Sequence, residues 1–125
     1  MSLLSFGKSE KLKSRKAISR LFREGKSFSV FPLRVIFFVD KSAPAASMPK
    51  FTCTASKRHF KTAVDRNLLK RRMREAYRLS KAGLQDVDRV GQLEIMVIFV
   101  GKKMVEYDVI AKAMEKAVGK ILDKV

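Results

Sequence analysis

One cysteine and one histidine stand among 125 residues, and only 12 acids face 28 bases. A single cysteine excludes an internal disulfide framework and any cysteine cluster for zinc, and it suits a reducing compartment, so the cytosol is the expected location. Long hydrophobic runs are also missing. The longest wholly apolar stretches, Val35 to Val39 and Ile95 to Val100, fall far short of the roughly 18 residues that cross a bilayer. Leu3, Leu4 and Phe6 form an apolar patch too short for a signal-peptide core before a run of bases begins. No membrane anchor is expected.

The shortage of acids bears on catalysis as well. Protein nucleases need clustered carboxylates for metals or a histidine placed for proton transfer. His59 sits among Lys57, Arg58 and Lys61 with no partner acid or base in sequence, which suits contact with phosphate or solvent. Asp86 and Asp88 are the close acidic pair and lack a third ligand within reach. Cys53 alternates inward on a strand pattern and reads as a small buried hydrophobe. Gly101-Lys102-Lys103 has neither the upstream glycine nor the following Ser or Thr of a phosphate-binding loop. The expectation is a chain with no catalytic residues and no protein-held metal.

What the chain has is apolar mass and positive charge. Hydrophobic residues make up 46 % and nine residues are phenylalanine, enough for one packed core and one domain over residues 1–125, with residues 1–13 a mobile start. The formal charge of +16 exceeds what solubility requires and calls for a polyanionic partner. It is also localised. Lys8 to Lys26 holds eight bases and two acids, Lys57 to Lys81 holds ten bases and two acids, and the rest of the chain carries only +2.

The pattern along the chain predicts helices and strands in the order α-β-β-β-α-β-α. A helix spans Arg15 to Glu24, capped by Ser14, closed by Gly25 and striped by Ala17, Ile18, Leu21 and Phe22. A β-rich stretch follows from Phe28 to Asp40, divided at Pro32, with its longer strand from Leu33 to Val39. Lys41 to Pro49 is a loop, and Lys50 to Ser56 alternates Phe51, Cys53 and Ala55 with small polar residues. Thr62 and Asp65 form a capping signature for a long helix, Ala63 to Ala82. Leu84 to Gln92 is a linker, Leu93 to Val100 a buried strand, and Asp108 caps a last helix striped by Val109, Ile110, Ala113, Met114, Ala117, Val118, Ile121 and Leu122. Interspersed strands and helices in so short a chain indicate an α+β domain with one sheet covered by helices.

At about 100° per residue, Leu69, Met73, Ala76 and Tyr77 share one arc of the long helix and face the core. Asn67, Lys70, Arg71, Arg74, Arg78 and Lys81 lie roughly 130° away in an outward stripe. Like charges at i and i+4 repel on an isolated helix, a strain that a phosphate backbone relieves. From Arg66 to Lys81 arginine outnumbers lysine by five to two, which favours planar, bidentate phosphate recognition. A strand precedes this helix where a helix-turn-helix reader of DNA needs a second helix, which is evidence against DNA.

At Ser56-Lys57-Arg58, and again at Ala63-Val64-Asp65-Arg66-Asn67-Leu68-Leu69-Lys70-Arg71-Arg72-Met73-Arg74-Glu75, the sequence resembles the protein subunit of bacterial ribonuclease P. That family's signature is a strand ending in S-K-K or S-K-R, then A-V and an R-N-R-x-K-R-x-x-R-E helix. The likeness extends over most of the chain, from Leu21-Phe22-Arg23-Glu24-Gly25 to the final helix. One position departs: Leu68 stands where the family has its second arginine, and Arg72 one turn along carries a charge where the family has an apolar residue.

The resemblance implies a four-stranded mixed sheet like that of the second domain of ribosomal protein S5, with a left-handed β-α-β crossover. It implies a catalytic RNA that, with Mg²⁺ held by the RNA and the substrate, removes the 5′ leader from precursor tRNA. The protein grips that RNA through the signature helix and the leader in a cleft beside the sheet, with no obligate protein partner. Matched by position, Arg66, Asn67, Lys70, Arg71 and Arg74 are the signature residues, with Lys57, Arg58 and Arg78 adding to the RNA-binding set. Phe22 and Phe37 are the candidates for the leader cleft. A ribosomal or other structural RNA-binding protein is the alternative reading.

Overall fold

The computed structural model describes residues 15–41, 49–81 and 92–124. The expected mobile start, the cap Ser14, the acidic pair Asp86 and Asp88, and nearly all of the two expected connecting segments lie outside the described residues. The elements are α1 (Arg15–Glu24), β1 (Lys26–Val30), β2 (Leu33–Asp40), β3 (Lys50–Ala55), α2 (Ala63–Ser80), β4 (Gln92–Phe99) and α3 (Tyr107–Lys124). The strands form one mixed sheet in the order β1-β2-β4-β3. β2 runs antiparallel to both β1 and β4, whereas β3 and β4 are parallel neighbours joined through α2.

The boundaries follow local chemistry. Where α1 gives way to β1 the chain needs glycine: a Cβ on Gly25 would lie 2.4 Å from the Leu21 carbonyl oxygen and 2.9 Å from Ile36 Cγ2. The chain passes straight into β1, which begins at Lys26, two residues before the expected Phe28. Thr62 caps α2 as expected, its Oγ1 accepting from the Asp65 amide at 3.3 Å. The helix ends at Ser80, short of the expected Ala82, and Gln92 opens β4 where a linker residue was expected. Tyr107, one residue before the expected cap Asp108, begins α3.

Alternation gives the sheet two unlike faces. Leu33, Val35 and Phe37 of β2, Phe51 and Ala55 of β3, and Leu93, Ile95, Val97 and Phe99 of β4 meet α2 and α3 in the main core. The helices contribute Leu69, Met73, Ala76 and Tyr77 from α2 and Ile110, Ala113, Met114, Ala117, Val118 and Ile121 from α3. Phe51 stacks on Tyr77 with centroids 4.0 Å apart, and Phe60 meets Phe99 edge-on at 5.6 Å. The other face carries a smaller cluster in which Ile36 and Met96 receive Leu21 of α1, flanked by Ala17, Ile18, Phe38 and Ile98.

A charge cluster holds α1 on that second face. Arg20 Nη2 donates to both oxygens of Glu94 on β4 at 3.0 and 3.1 Å, and Nη1 lies 3.2 Å from Asp40 Oδ2 at the end of β2. Its guanidinium also covers the Phe38 ring at 4.9 Å. Glu94 is only 5 % exposed, so its charge depends on Arg20 for compensation. Replacing Glu94 with Gln should lower stability by about 2 kcal/mol, below the roughly 3–5 kcal/mol of a fully buried pair because part of Arg20 remains in water. Chemical denaturation measures this, and an unchanged midpoint would remove the cluster from the forces docking α1.

Cys53 faces α2 from β3, and its Sγ lies 3.7 Å from the Lys70 carbonyl oxygen. Burial pushes the thiol up to about 11, against the smaller opposing pull of Arg74 and Lys70. A raised thiol keeps its proton at neutral pH, so native protein at pH 8 should react with a thiol reagent far more slowly than unfolded protein. Equal rates in native and urea-treated samples would contradict this.

Candidate nucleic-acid interface

The sheet's topology gathers charged and aromatic residues at one end. Ala55 of β3 pairs with Phe99 of β4, and Phe99 pairs with Leu33 of β2, so the loop after β3, the residues after β4 and the β1–β2 turn are neighbours. Lys57 and Arg58 are exposed on the first of these, Val100 on the second and Phe31 on the third. From the same end α2 starts back along β3, with the Lys70 backbone beside Cys53.

The loop carrying Lys57 and Arg58 is braced by the signature arginine. Ser56 begins a tight turn in which its Oγ accepts from the Arg58 amide at 3.1 Å and its carbonyl accepts from the Phe60 amide at 3.1 Å. Phe60 is buried, which anchors the loop. Arg66 Nη1 then donates to the carbonyls of Phe60 at 2.7 Å and Lys61 at 3.1 Å. Arg66, expected as a surface contact, thus ties the loop to the first turns of α2.

The outward stripe of α2 is shorter than its sequence suggests. Asn67, Arg71 and Arg74 are exposed and Lys70 is half-buried beside β3. Arg78 is engaged by Glu75 of the same helix, which meets its Nη2 and accepts from its Nε at 3.1 Å. That guanidinium holds the Glu75 carboxyl below its usual range. Lys81, the C-cap residue, is fully buried and leaves the stripe altogether. Arg72, one turn from Leu68, is tied to the body of the protein: its Nη1 donates to the Val105 carbonyl ahead of α3. The cationic rail is therefore Lys70, Arg71 and Arg74, with Asn67 at its start and Lys57 and Arg58 beyond.

Beside α1 the second sheet face opens into a cleft of about 390 Å³ lined by Phe22, Ser27, Arg34, Ile36, Ile98 and Val100 among others. Phe22 is 57 % exposed, although its place in the α1 stripe predicts packing. Phe37 is corrected by parity. It is 3 % exposed in the main core, on the opposite face of β2 from the cleft, and meets Phe28 edge-on at 6.0 Å. Arg34 is the cleft residue that the sequence reading missed. It shares its face with Ile36, and a lone cation in an otherwise apolar strand was the available signal. Among the described residues no three of His, Cys, Asp and Glu come together as a metal-binding group.

The chain matches the Ribonuclease P family model over residues 6–122. Ribonuclease P protein components from two strains of Porphyromonas gingivalis are each 38 % identical to it over 120 residues, covering 94 % of this chain and 87 % of theirs. Its fold is that of the RNase P protein from Staphylococcus aureus, with a TM-score of 0.69 and 23 % identity over 91 % of this chain and 95 % of that one. The RNase P protein from Thermotoga maritima gives a TM-score of 0.70 with 22 % identity, over 89 % of this chain and 96 % of that one.

The bracing role of Arg66 is measurable apart from any RNA. Arg66→Ala should cost about 1–2 kcal/mol and speed amide hydrogen exchange at residues 57–61, while amides in β4 keep their protection. Unaltered exchange in that loop would show that the two carbonyl contacts hold nothing in place.

Proposed function

The chain belongs to the ribonuclease P protein family, and we propose that it serves that enzyme by laying Lys70, Arg71 and Arg74 against the catalytic RNA and passing the 5′ leader of precursor tRNA through the cleft beside α1. The observation that carries this reading is that rail and cleft share one end of the sheet. Lys57 and Arg58 follow β3 there, where α2 begins, and Val100 of the cleft wall follows β4, the strand paired with β3, at the same end.

The protein's contribution is electrostatic and positional. Cations on a rigid helix displace condensed counterions from a phosphate backbone, which lowers the repulsion between two RNAs brought together. A rail built on a helix keeps its spacing, so bound RNA is oriented as well as attracted. Arg66 acts through the loop it holds, keeping Lys57 and Arg58 in place beyond the end of β3. Phe22 offers an exposed ring to a leader base and Arg34 a cation to its phosphate. Mg²⁺ held between the RNAs supplies the charge stabilisation that strand cleavage needs. In a bacterial cell this places the protein in the cytoplasm, and among the described residues no helix is long and apolar enough to cross a membrane.

Reversing Lys70, Arg71 and Arg74 together to Glu should abolish binding to the catalytic RNA while leaving the melting temperature nearly unchanged, because these side chains point away from Leu69 and Met73. Truncating Arg71 alone should flatten the plot of log K against log salt by about 0.7–0.9. Wild-type protein added to the RNA at low Mg²⁺ should accelerate leader removal, and the triple variant should not. A variant that binds with the wild-type salt slope and restores cleavage would refute the assignment of the rail.

A further inference from the structure

Two phenylalanines are exposed among the described residues, one lining the cleft and the other on a turn bonded to its wall. Phe22 lines it from α1. Phe31 stands at the β1–β2 turn and is 77 % exposed, more than any other large hydrophobic residue described. The turn that carries it is fixed in place. Pro32 is buried, its carbonyl accepts the Val100 amide at 2.9 Å, and its Cβ would lie 3.4 Å from a Cβ on Gly101. Val100 in turn lines the cleft. An exposed ring on a turn bonded to the cleft wall is poised for contact at little entropic cost.

We propose that Phe31 is a second stacking platform for the RNA leader, meeting a base farther from the cut than the one held at Phe22. This rests on the reading of the cleft as the leader's path. The order β1-β2-β4-β3 sets the sequence of contacts. A strand leaving the rail on the β3 side first meets Lys57 and Arg58, then Val100 at the end of β4 and Arg34 on β2, and reaches the β1–β2 turn last. Three inter-strand spacings, about 14 Å, separate the first strand from the last. Cations along the way draw in the phosphates, and an aromatic ring at the far end accepts any base, because every base has a π-face.

The position of Phe31 makes its effect depend on leader length. With the reconstituted holoenzyme, Phe31→Ala should weaken binding of a precursor tRNA whose leader extends past the turn by about tenfold, and leave unchanged a precursor whose leader ends inside the cleft. The chain has no tryptophan, so Phe31→Trp introduces a single tryptophan whose selectively excited emission should be quenched by the long-leader precursor and not by the short one. Equal weakening for both leaders would put the ring against the catalytic RNA and overturn the proposal, as would no weakening in a variant of native melting temperature. Phe22→Ala separates the two readings. If it weakens both precursors while Phe31→Ala affects neither, only the role of Phe31 falls; if neither variant has an effect, the cleft is not the leader's path.

Discussion

Glu94 interrupts a strand that is otherwise nearly unbroken apolar sequence, and its burial is tolerable because Arg20 reaches down from α1 to meet both of its oxygens. The same guanidinium reaches Asp40 and covers Phe38, so one side chain joins α1 to two strands. Leu21 supplies the apolar part of the contact. With α1 seated this way, Leu21 goes inward and Phe22 outward, and the wall of the cleft is set. The opposite sheet face needs no such device, because α2 and α3 cover it with a continuous hydrophobic core.

Much of the chain's arginine is employed inside the molecule. Arg20 compensates a buried carboxylate, Arg66 closes a loop, Arg72 bonds a carbonyl ahead of α3 and Arg78 pairs with Glu75. Each uses the planar, many-donor geometry that also suits arginine to phosphate, so residue type alone does not separate the two uses. The exposed remainder forms a narrow surface, which is better suited to positioning an RNA than a diffuse positive field would be. A rail along one helix and a cleft lined by the exposed Phe22 offer electrostatic attraction and stacking, the two forces that hold single-stranded nucleic acid.

Periodicity and capping in the sequence determined the seven elements, the inward arc of α2, the inward stripe of α3 apart from Val109, which is exposed, and the sign of the partner's charge. These are local properties: a helix buries residues three and four apart, a strand alternates, and a run of bases remains basic wherever the chain carries it. The signature residues further singled out α2 as the expected binding helix. Tertiary structure alone decided which cations face solvent, since that depends on groups distant in sequence. Glu94 lies 74 residues from Arg20, and Val105 lies 33 from Arg72. It also decided the fate of the two candidate aromatics. Phe37 and Phe22 both sat in apolar patterns, but strand parity turned one into the core, and the seating of α1 by Arg20 left the other open to solvent.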